Sequence, residues 1–390
     1  MKTRRDRVCN SKTEPRKENL PSFEQPLVEE LKNVVVSDKC LGPDDFELLK
    51  LVGKGGYGKV FQAQKKDDKQ IFALKVVKRP TKKIDLKHLY DEKKILETVK
   101  SPFLCEMHYS FEVDKKLYLV LEFLSGGELF TLLNREERLN EDASRFYLAE
   151  MTLALEHLHD NDVIYRDLKP DNIMLDKNGH IKLTDFGLSK FNVPKGKSTS
   201  TFCGTIEYMA PEIVNKSAYG HSVDIWALGI VMYDMLTGGP PFYGETEEEQ
   251  IDNIRRGKVR MPSNLSDGGK AFLRSLLIRI PHRRIAIPEI KNLEFFKIID
   301  WEKLRARDFE PPFKPNLENE LDVSQFDTSF TDLPPEDSPF KPMKVEDQND
   351  PFVGFDCQCS ETKKKKQSEP KSKSSAARKW VFDKLFMCFR

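Results

Sequence analysis

The sequence predicts an α+β, bilobal fold, with a small antiparallel β lobe carrying one key helix over a larger helical lobe. Three observations lead there. From Phe46 to about Leu124 the apolar residues fall in strand-like runs with one helix-like interruption, and after Gly126-Gly127 the spacing turns helical. Where the helical part is under way, Tyr165-Arg166-Asp167-Leu168-Lys169-Pro170-Asp171-Asn172, followed by Asp185-Phe186-Gly187, sets a carboxylate, an amide and a second carboxylate at the spacing phosphoryl transfer needs.

The first strand pair holds Val52-Gly53-Lys54-Gly55-Gly56-Tyr57-Gly58-Lys59-Val60. It follows the apolar stretch from Phe46 to Val52 and precedes Phe61-Gln62-Ala63, so the glycines sit in a turn between strands, where N–H groups can close over phosphate oxygens. A strand after the turn argues against a dinucleotide fold, in which a helix would follow. In the next run, Ile71-Phe72-Ala73-Leu74-Lys75-Val76-Val77, strand alternation sets Lys75 with Ile71, Ala73 and Val77 on an apolar side. An ammonium there needs a counter-charge.

The helix-like segment from Leu86 to Lys100 supplies one. Leu89, Leu96 and Val99 recur at helical spacing with Glu92 on the same stripe, whereas Asp91 and Glu97 read as solvated helix charges. Pairing Lys75 with Glu92 satisfies both groups and leaves the ammonium free to hold α- and β-phosphates. In the catalytic run, Asp167 can accept an acceptor hydroxyl's proton, Lys169 can reach the transferred phosphate, and Asn172 and Asp185 are hard oxygen ligands suited to Mg²⁺.

The larger lobe opens with helices over Glu128 to Asn134 and Asn140 to Asp160. In the latter, Phe146, Met151, Leu153, Ala154, Leu155 and Leu158 crowd one side. Asp224 to Val231 reads as a helix apolar on most sides, hence central. Leu317 to Phe355, rich in Pro, Asp and Ser with spaced phenylalanines, reads as chain wrapped over the surface. These shifts divide the chain into a polar N-terminal tail (1–45, with some helix near Leu27 to Val36), a main domain (46–296), a C-terminal tail (297–362) and a basic aromatic end (363–390).

With 390 residues, 38% apolar and 33% charged, the chain can bury two lobes. No stretch reaches transmembrane length and no N-terminal run resembles a signal peptide. The seven cysteines lack paired CxxC spacing; only Cys357 and Cys359 lie close, without further zinc ligands nearby. That usage fits reduced thiols in a cytoplasmic or nuclear protein. Residues 1–19 carry seven Lys/Arg against three Asp/Glu and residues 363–390 ten against two, which leaves residues 20–362 with a net charge of −11. An acidic body between basic ends suits cationic peptide substrates, since matching fields speed encounter.

From about residue 46 to 358 the chain resembles the AGC-group serine/threonine protein kinases, and among them is most similar to the ribosomal protein S-six kinases of the p-seventy type. The glycine turn, Lys75, Glu92, Tyr165-Arg166-Asp167, Asp185-Phe186-Gly187 and Ala210-Pro211-Glu212 carry the kinase likeness, and Lys169 is the serine/threonine version. Thr201-Phe202-Cys203-Gly204-Thr205-Ile206-Glu207-Tyr208 resembles the AGC activation segment; Asp322 to Asp327 and Asp337-Ser338-Pro339 resemble the p-seventy tail.

The resemblance implies ATP and Mg²⁺ as cofactors and a bilobal kinase fold. It makes Leu121 the gatekeeper, gives Glu122 and Leu124 as hinge backbone to adenine, and sets Glu128, Asp171 and Asp234 where basophilic relatives read arginine before the acceptor Ser/Thr. Glu128 also reads as a helix N-terminal charge and Asp234 as a buried helix acid. Regulation would run through Thr201, phosphorylated by an upstream phosphoinositide-dependent kinase and paired with Arg166, with Thr199 and Ser200 as rivals, and through Ser338. The Phe352-x-x-Phe355 pair is expected to dock beside the Glu92 helix.

Departures from the family lie at the ends. Asp356 stands where the family has a phosphorylatable residue after the Phe pair, a permanent charge in its place. Phe23-Glu24-Gln25-Pro26-Leu27 loosely resembles the short motif recruiting the TOR complex of growth and nutrient signalling, with Pro26 at the usual second acidic position. The autoinhibitory extension has no clear counterpart. In its place Lys363 to Lys366 and residues 376–390 form a basic aromatic end whose Trp380, Val381, Lys384, Leu385, Cys388 and Phe389 share a helical side. It suits an anionic membrane, a calmodulin-like groove, nuclear localisation or plain solvation. No nucleic-acid-binding fold accompanies it. A pseudokinase scaffold is the rival class, signalled by loss of Lys75, Asp167, Asn172 or Asp185, all present; a protein kinase B-like AGC kinase is the other alternative.

Overall fold

The computed structural model describes residues 41–55, 58–80, 82–263, 265–337 and 357–358. Gly56, Tyr57, Ser338, Phe352, Phe355, Asp356, the Phe23–Leu27 motif, the helix expected near Leu27 to Val36, Cys359 and the basic aromatic end lie outside the described residues.

The small lobe is an antiparallel sheet of β1 (Phe46–Lys54), β2 (Gly58–Lys65), β3 (Ile71–Lys78), β4 (Met107–Val113) and β5 (Lys116–Glu122), in the order β1-β2-β3-β5-β4. Aromatic and β-branched residues dominate these runs because they pack well on a pleated surface. Phe46 stacks on Phe111 and meets Phe72 edge-on, while Phe111 stacks on Tyr118. In register, Lys75 faces Val60 across β2 and Leu119 across β5, which aims it into the space below the glycine turn. Gly58 is required sterically: a Cβ there would sit 2.1 Å from the Val76 carbonyl oxygen.

The helix expected in this lobe, α1 (Lys83–Thr98), starts three residues before the predicted segment. Leu89, Glu92, Leu96 and Val99 are buried as their common stripe required. Asp91 and Glu97 depart from the solvated reading. Glu97 pairs with Lys93 at 2.8 Å, and the half-buried Asp91 carboxyl is raised by burial.

The large lobe begins with α2 (Leu129–Glu136) and α3 (Glu141–Asp160), one residue inside the predicted starts because Glu128 and Asn140 occupy the N-cap positions. Asn140 earns that place with a side-chain oxygen accepting from the Ala143 N–H at 2.8 Å. The central helix α5 (Ser222–Thr237), which follows the short α4 (Pro211–Val214), buries nearly every side chain, including Trp226 and Asp224. The remaining helices α6 (Glu247–Arg256), α7 (Asp267–Leu276), α8 (Ile287–Ile290) and α9 (Trp301–Arg305) close the lobe, and a two-stranded ladder, β6 (Ile173–Leu175) with β7 (Ile181–Leu183), lies where the catalytic run ends.

Asp224 explains how α5 positions chemistry. Its buried carboxylate accepts the N–H groups of Tyr165 (3.0 Å) and Arg166 (2.8 Å) and contacts His159 at 2.7 Å, so the catalytic run hangs from the core. A buried carboxylate with that many partners is stable where an unpaired one would not be.

After α9 the chain returns to the small lobe. Lys50, Gln62 and Lys59 donate to the carbonyls of Thr331, Leu321 and Glu336, and Lys116 pairs with Asp337 at 2.6 Å. The short α10 (Thr328–Thr331) rests against β1, and β8 (Cys357–Gln358) extends the sheet beyond β4. For residues 317–337 the surface-wrapped expectation holds.

Candidate active site

Three charged groups from three elements meet below the glycine turn. Lys75 Nζ lies 2.7 Å from Glu92 Oε1 and 3.0 Å from Asp185 Oδ1. Burial works against the Lys75 ammonium, but Asp185 and Glu92 outweigh it and hold its pKa well above the ordinary lysine value. Lys75 in turn holds the Asp185 carboxyl below its usual range, whereas burial raises that of Glu92 despite Lys75. Asp185 adopts φ 50°, left-handed backbone uncommon outside glycine, and Arg166 adopts φ 71°.

The second cluster surrounds Asp167. Its Oδ1 accepts from the Thr205 N–H (3.1 Å) and hydroxyl (2.9 Å), and its Oδ2 from Asn172 Nδ2 (2.8 Å), with Lys169 Nζ at 3.3 Å. Lys169 also donates to the Thr205 hydroxyl at 2.9 Å, so Thr205 bridges carboxylate and ammonium. Both Asn172 N–H groups go to Asp167, to its main-chain oxygen and its carboxylate, which leaves the amide oxygen as the donor atom a cation could use. Together with Asp185 this is a hard oxygen set, of the kind Mg²⁺ takes.

Beside these clusters a cavity of about 240 Å³ runs between the lobes. Of the predicted cofactor residues, Val52, Gly53, Val60, Ala73, Lys75, Glu92, Glu122 and Leu124 line it, with Leu121. Lys54, Gly55, Gly58 and Lys59 belong to the turn and its strand ends rather than the wall; Gly55 N–H closes on the Gly58 carbonyl at 3.0 Å. The Glu122 side chain is engaged elsewhere, bound to Lys182 Nζ at 2.6 Å and to the Glu106 N–H at 2.7 Å.

The wall also holds residues that the sequence did not single out for the cofactor site: Leu96, Cys105, Phe123, Met174, Thr184, Phe186 and Phe326. Phe326 arrives from the C-terminal tail and stacks on Phe123 with ring centroids 5.5 Å apart. Gly127 makes room for it, since its φ of +75° suits glycine and a Cβ would meet the Gln325 carbonyl oxygen at 2.5 Å.

The chain matches the protein kinase domain family over residues 46–296 and the protein kinase C terminal domain over residues 317–357. It belongs to the protein kinases. Within them it is 50% identical over 326 residues, 81% of its length, to a ribosomal protein S6 kinase beta of Caenorhabditis elegans. It is 48% identical over 304 residues (75%) to the serine/threonine-protein kinase SCH9 of Candida albicans, and 44% over 331 residues (82%) to ribosomal protein S6 kinase alpha-1 of Homo sapiens. The aligned regions are 59%, 39% and 45% of those curated relatives' own lengths. The AGC-type serine/threonine kinase family, with its C-terminal tail domain, is therefore the chain's own.

In this kinase domain three acids gather at one mouth of the cleft. Glu128 and Asp171 both line it, and burial, then Asp171, push the Glu128 carboxyl up to about 7. Asp234 is raised by burial and by Asp171, although it accepts the Tyr208 hydroxyl at 2.6 Å. Both structural readings of these acids hold as geometry: Glu128 caps α2 without a side-chain cap bond, and Asp234 is buried in α5.

The segment running from Asp185 to Glu212 holds Thr201, partly exposed. Tyr219 donates its hydroxyl proton to the Thr201 carbonyl at 2.6 Å and accepts from Arg166 Nη1 at 3.2 Å, so one tyrosine separates Thr201 from the predicted partner guanidinium. The rest of that guanidinium serves the carbonyls of Leu188 and Ser189. Basic side chains crowd it: His88 is lowered by burial and by Arg166, and Lys190 by burial and by Lys87. His88, Lys87 and Lys190 carried no signal in one dimension, coming from α1 and from beyond Asp185.

Proposed function

We propose that the chain is an ATP- and Mg²⁺-dependent serine/threonine protein kinase that prefers arginine on the N-terminal side of the acceptor. The assembled Lys75–Glu92–Asp185 cluster beside Asp167–Thr205–Lys169 carries this reading, because phosphoryl transfer depends on placing these groups before the substrate arrives. Bound nucleotide with Mg²⁺ would supply the phosphoryl group and the cation that neutralises charge. Asn172 and Asp185 would hold the cation, and Lys75 the α- and β-phosphates. Asp167 orients the acceptor hydroxyl and takes its proton, with Lys169 beside the oxygens being transferred. Glu128, Asp171 and Asp234 would receive a substrate guanidinium, whose planar fork bonds two carboxylate oxygens at once.

Phosphate on Thr201 would bring roughly −1.5 to −2 charge next to Arg166, Lys87, Lys190 and His88 and lock the segment. The upstream phosphoinositide-dependent kinase, TOR-type signalling and a cytoplasmic location rest on the resemblance to the S6 kinases alone. Incubating the full chain, phosphorylated on Thr201, with an arrayed peptide library and labelled ATP tests the reading. Transfer to Ser/Thr peptides with upstream arginine is expected; firm nucleotide binding with no transfer to any peptide would establish the pseudokinase scaffold instead.

A further inference from the structure

Away from the cleft, a groove of about 820 Å³ opens between the end of the activation segment, the C-terminal ends of α6 and α7, and the turn that follows α7. Its wall includes Pro211, Glu212, Gly257, Arg279, Ile280 and Arg283. Glu212 brings no free charge, because Arg284 grips both its oxygens at 2.8 and 3.1 Å. Arg279 and Arg283 are exposed, and among the described residues neither enters an ion pair or a side-chain hydrogen bond. Ile280 between them leaves 42% of its surface exposed.

The surroundings reinforce the sign. Residues 252–284 contain nine Lys/Arg against two Asp/Glu, within a body that is otherwise acidic. Arg256, at the end of α6, and Lys258 and Arg260 just beyond it are exposed as well, on the chain that flanks the groove residue Gly257. A basic, partly apolar concavity on an acidic protein creates a local field that attracts one kind of partner and repels the rest of the molecule's like.

We propose that this groove docks an extended acidic segment of a partner protein, one that carries an apolar side chain for Ile280 between carboxylates for Arg279 and Arg283. A polypeptide fits better than a bilayer because the two guanidinium groups and the isoleucine line a concavity, which a flat headgroup surface cannot enter. Under the kinase activity proposed above, a substrate held here would be bipolar, basic around its acceptor and acidic in its docking segment. The docking itself does not depend on catalysis.

The test is fluorescence anisotropy on the full chain with a short fluorescein-labelled peptide of aspartate and glutamate around a central leucine, against the same peptide with asparagine and glutamine. The acidic probe is expected to bind roughly tenfold or more tightly than the amide probe, each tenfold step being 1.4 kcal/mol. Arg279→Glu with Arg283→Glu should abolish that difference, the paired lysine variant should keep most of it, and Ile280→Ser should weaken the acidic probe alone. Equal affinity for both probes, or an acidic-probe affinity untouched by the double reversal, overturns the proposal. So does binding to phosphatidylserine vesicles that is lost in the double reversal when the acidic peptide does not bind, since that outcome assigns the patch to a membrane.

Discussion

Two groups of carboxylates lie along one cleft, and they are built on opposite electrostatic plans. Around Lys75 and Asp167 each acid meets a cation or donor: Glu92 and Asp185 share one ammonium, and Asp167 is held by Thr205, Asn172 and Lys169. At the Glu128 corner the acids meet one another, with Asp171 raising both neighbours. The difference shows in protonation, with Asp185 held low and Glu128 pushed up to about 7. A completed network is oriented in advance and needs little rearrangement; in the Glu128 corner Lys169 offsets only part of the mutual repulsion of the acids, so a further cation would be favoured there. The first plan suits chemistry and the second suits recognition.

Breaking the completed network should have the largest effect. Asp167→Asn is expected to lower kcat by roughly 10²–10⁴ with nucleotide affinity little changed, since it removes the proton acceptor. Asp185→Asn should lower kcat at least as far and also weaken Mg²⁺-dependent nucleotide binding, followed by calorimetry with and without the metal. Equal activity of wild type and Asp167→Asn would remove that carboxylate from the chemistry.

Substitution in the unmatched corner should act on choice rather than on rate. Glu128→Gln is expected to reduce the preference for an arginine peptide over its lysine counterpart by about tenfold, the scale of one charged hydrogen bond of roughly 1.5 kcal/mol, and to leave transfer to a minimal peptide in place. An unchanged preference would exclude Glu128 from the arginine site.

A gentler probe of the same corner is pH. Under the proposed arginine preference a substrate guanidinium pairs with the Glu128 carboxylate, for which protons compete as pH falls through about 7, so KM for the arginine peptide should rise in that window while KM for a peptide without arginine does not. In Glu128→Gln the extra pH dependence should vanish.

The smallest effect expected is on stability. The folded-state pKa of Glu128 is raised above its ordinary 4.5, so the folded state binds the proton more tightly and loses stability as pH rises from 4.5 through about 7. Glu128→Gln should therefore melt slightly higher than wild type above pH 7, the gap closing as pH falls toward 4.5. A gap that widened on acidification would mean the carboxylate is stabilising as an ion, contrary to the crowded-acid picture.

Elements whose partners are near in sequence, or whose burial demands a partner, could be read in one dimension. Lys75 on an apolar strand face and Glu92 on an apolar helix stripe each needed a counter-charge, and the structure sets them 2.7 Å apart. Thr205 could not be found that way. An ordinary hydroxyl 38 residues from Asp167 gains meaning only when the segment folds back over the catalytic run. The same holds for Phe326, which reaches the cleft because the tail crosses it. Glu97 is the opposite case, since its partner Lys93 lies one turn away on its own helix, a spacing at which opposite charges meet and which was there to be read.

Residue types and local spacing by themselves determined the two-lobed architecture, the glycine turn, the central apolar helix and the candidate carboxylates Asp167 and Asp185, because periodicity and the cost of burying lone charge act over short stretches of chain. Tertiary structure alone decided that Asp224 would suspend the catalytic run from α5, that His88 and Lys190 would gather around Arg166, and that the acids of the Glu128 corner would crowd with no ion pair among the described residues and only Lys169 near enough to offset part of their repulsion. Each of these depends on distances between segments remote in sequence, and electrostatic and hydrogen-bond energies are set by those distances rather than by composition.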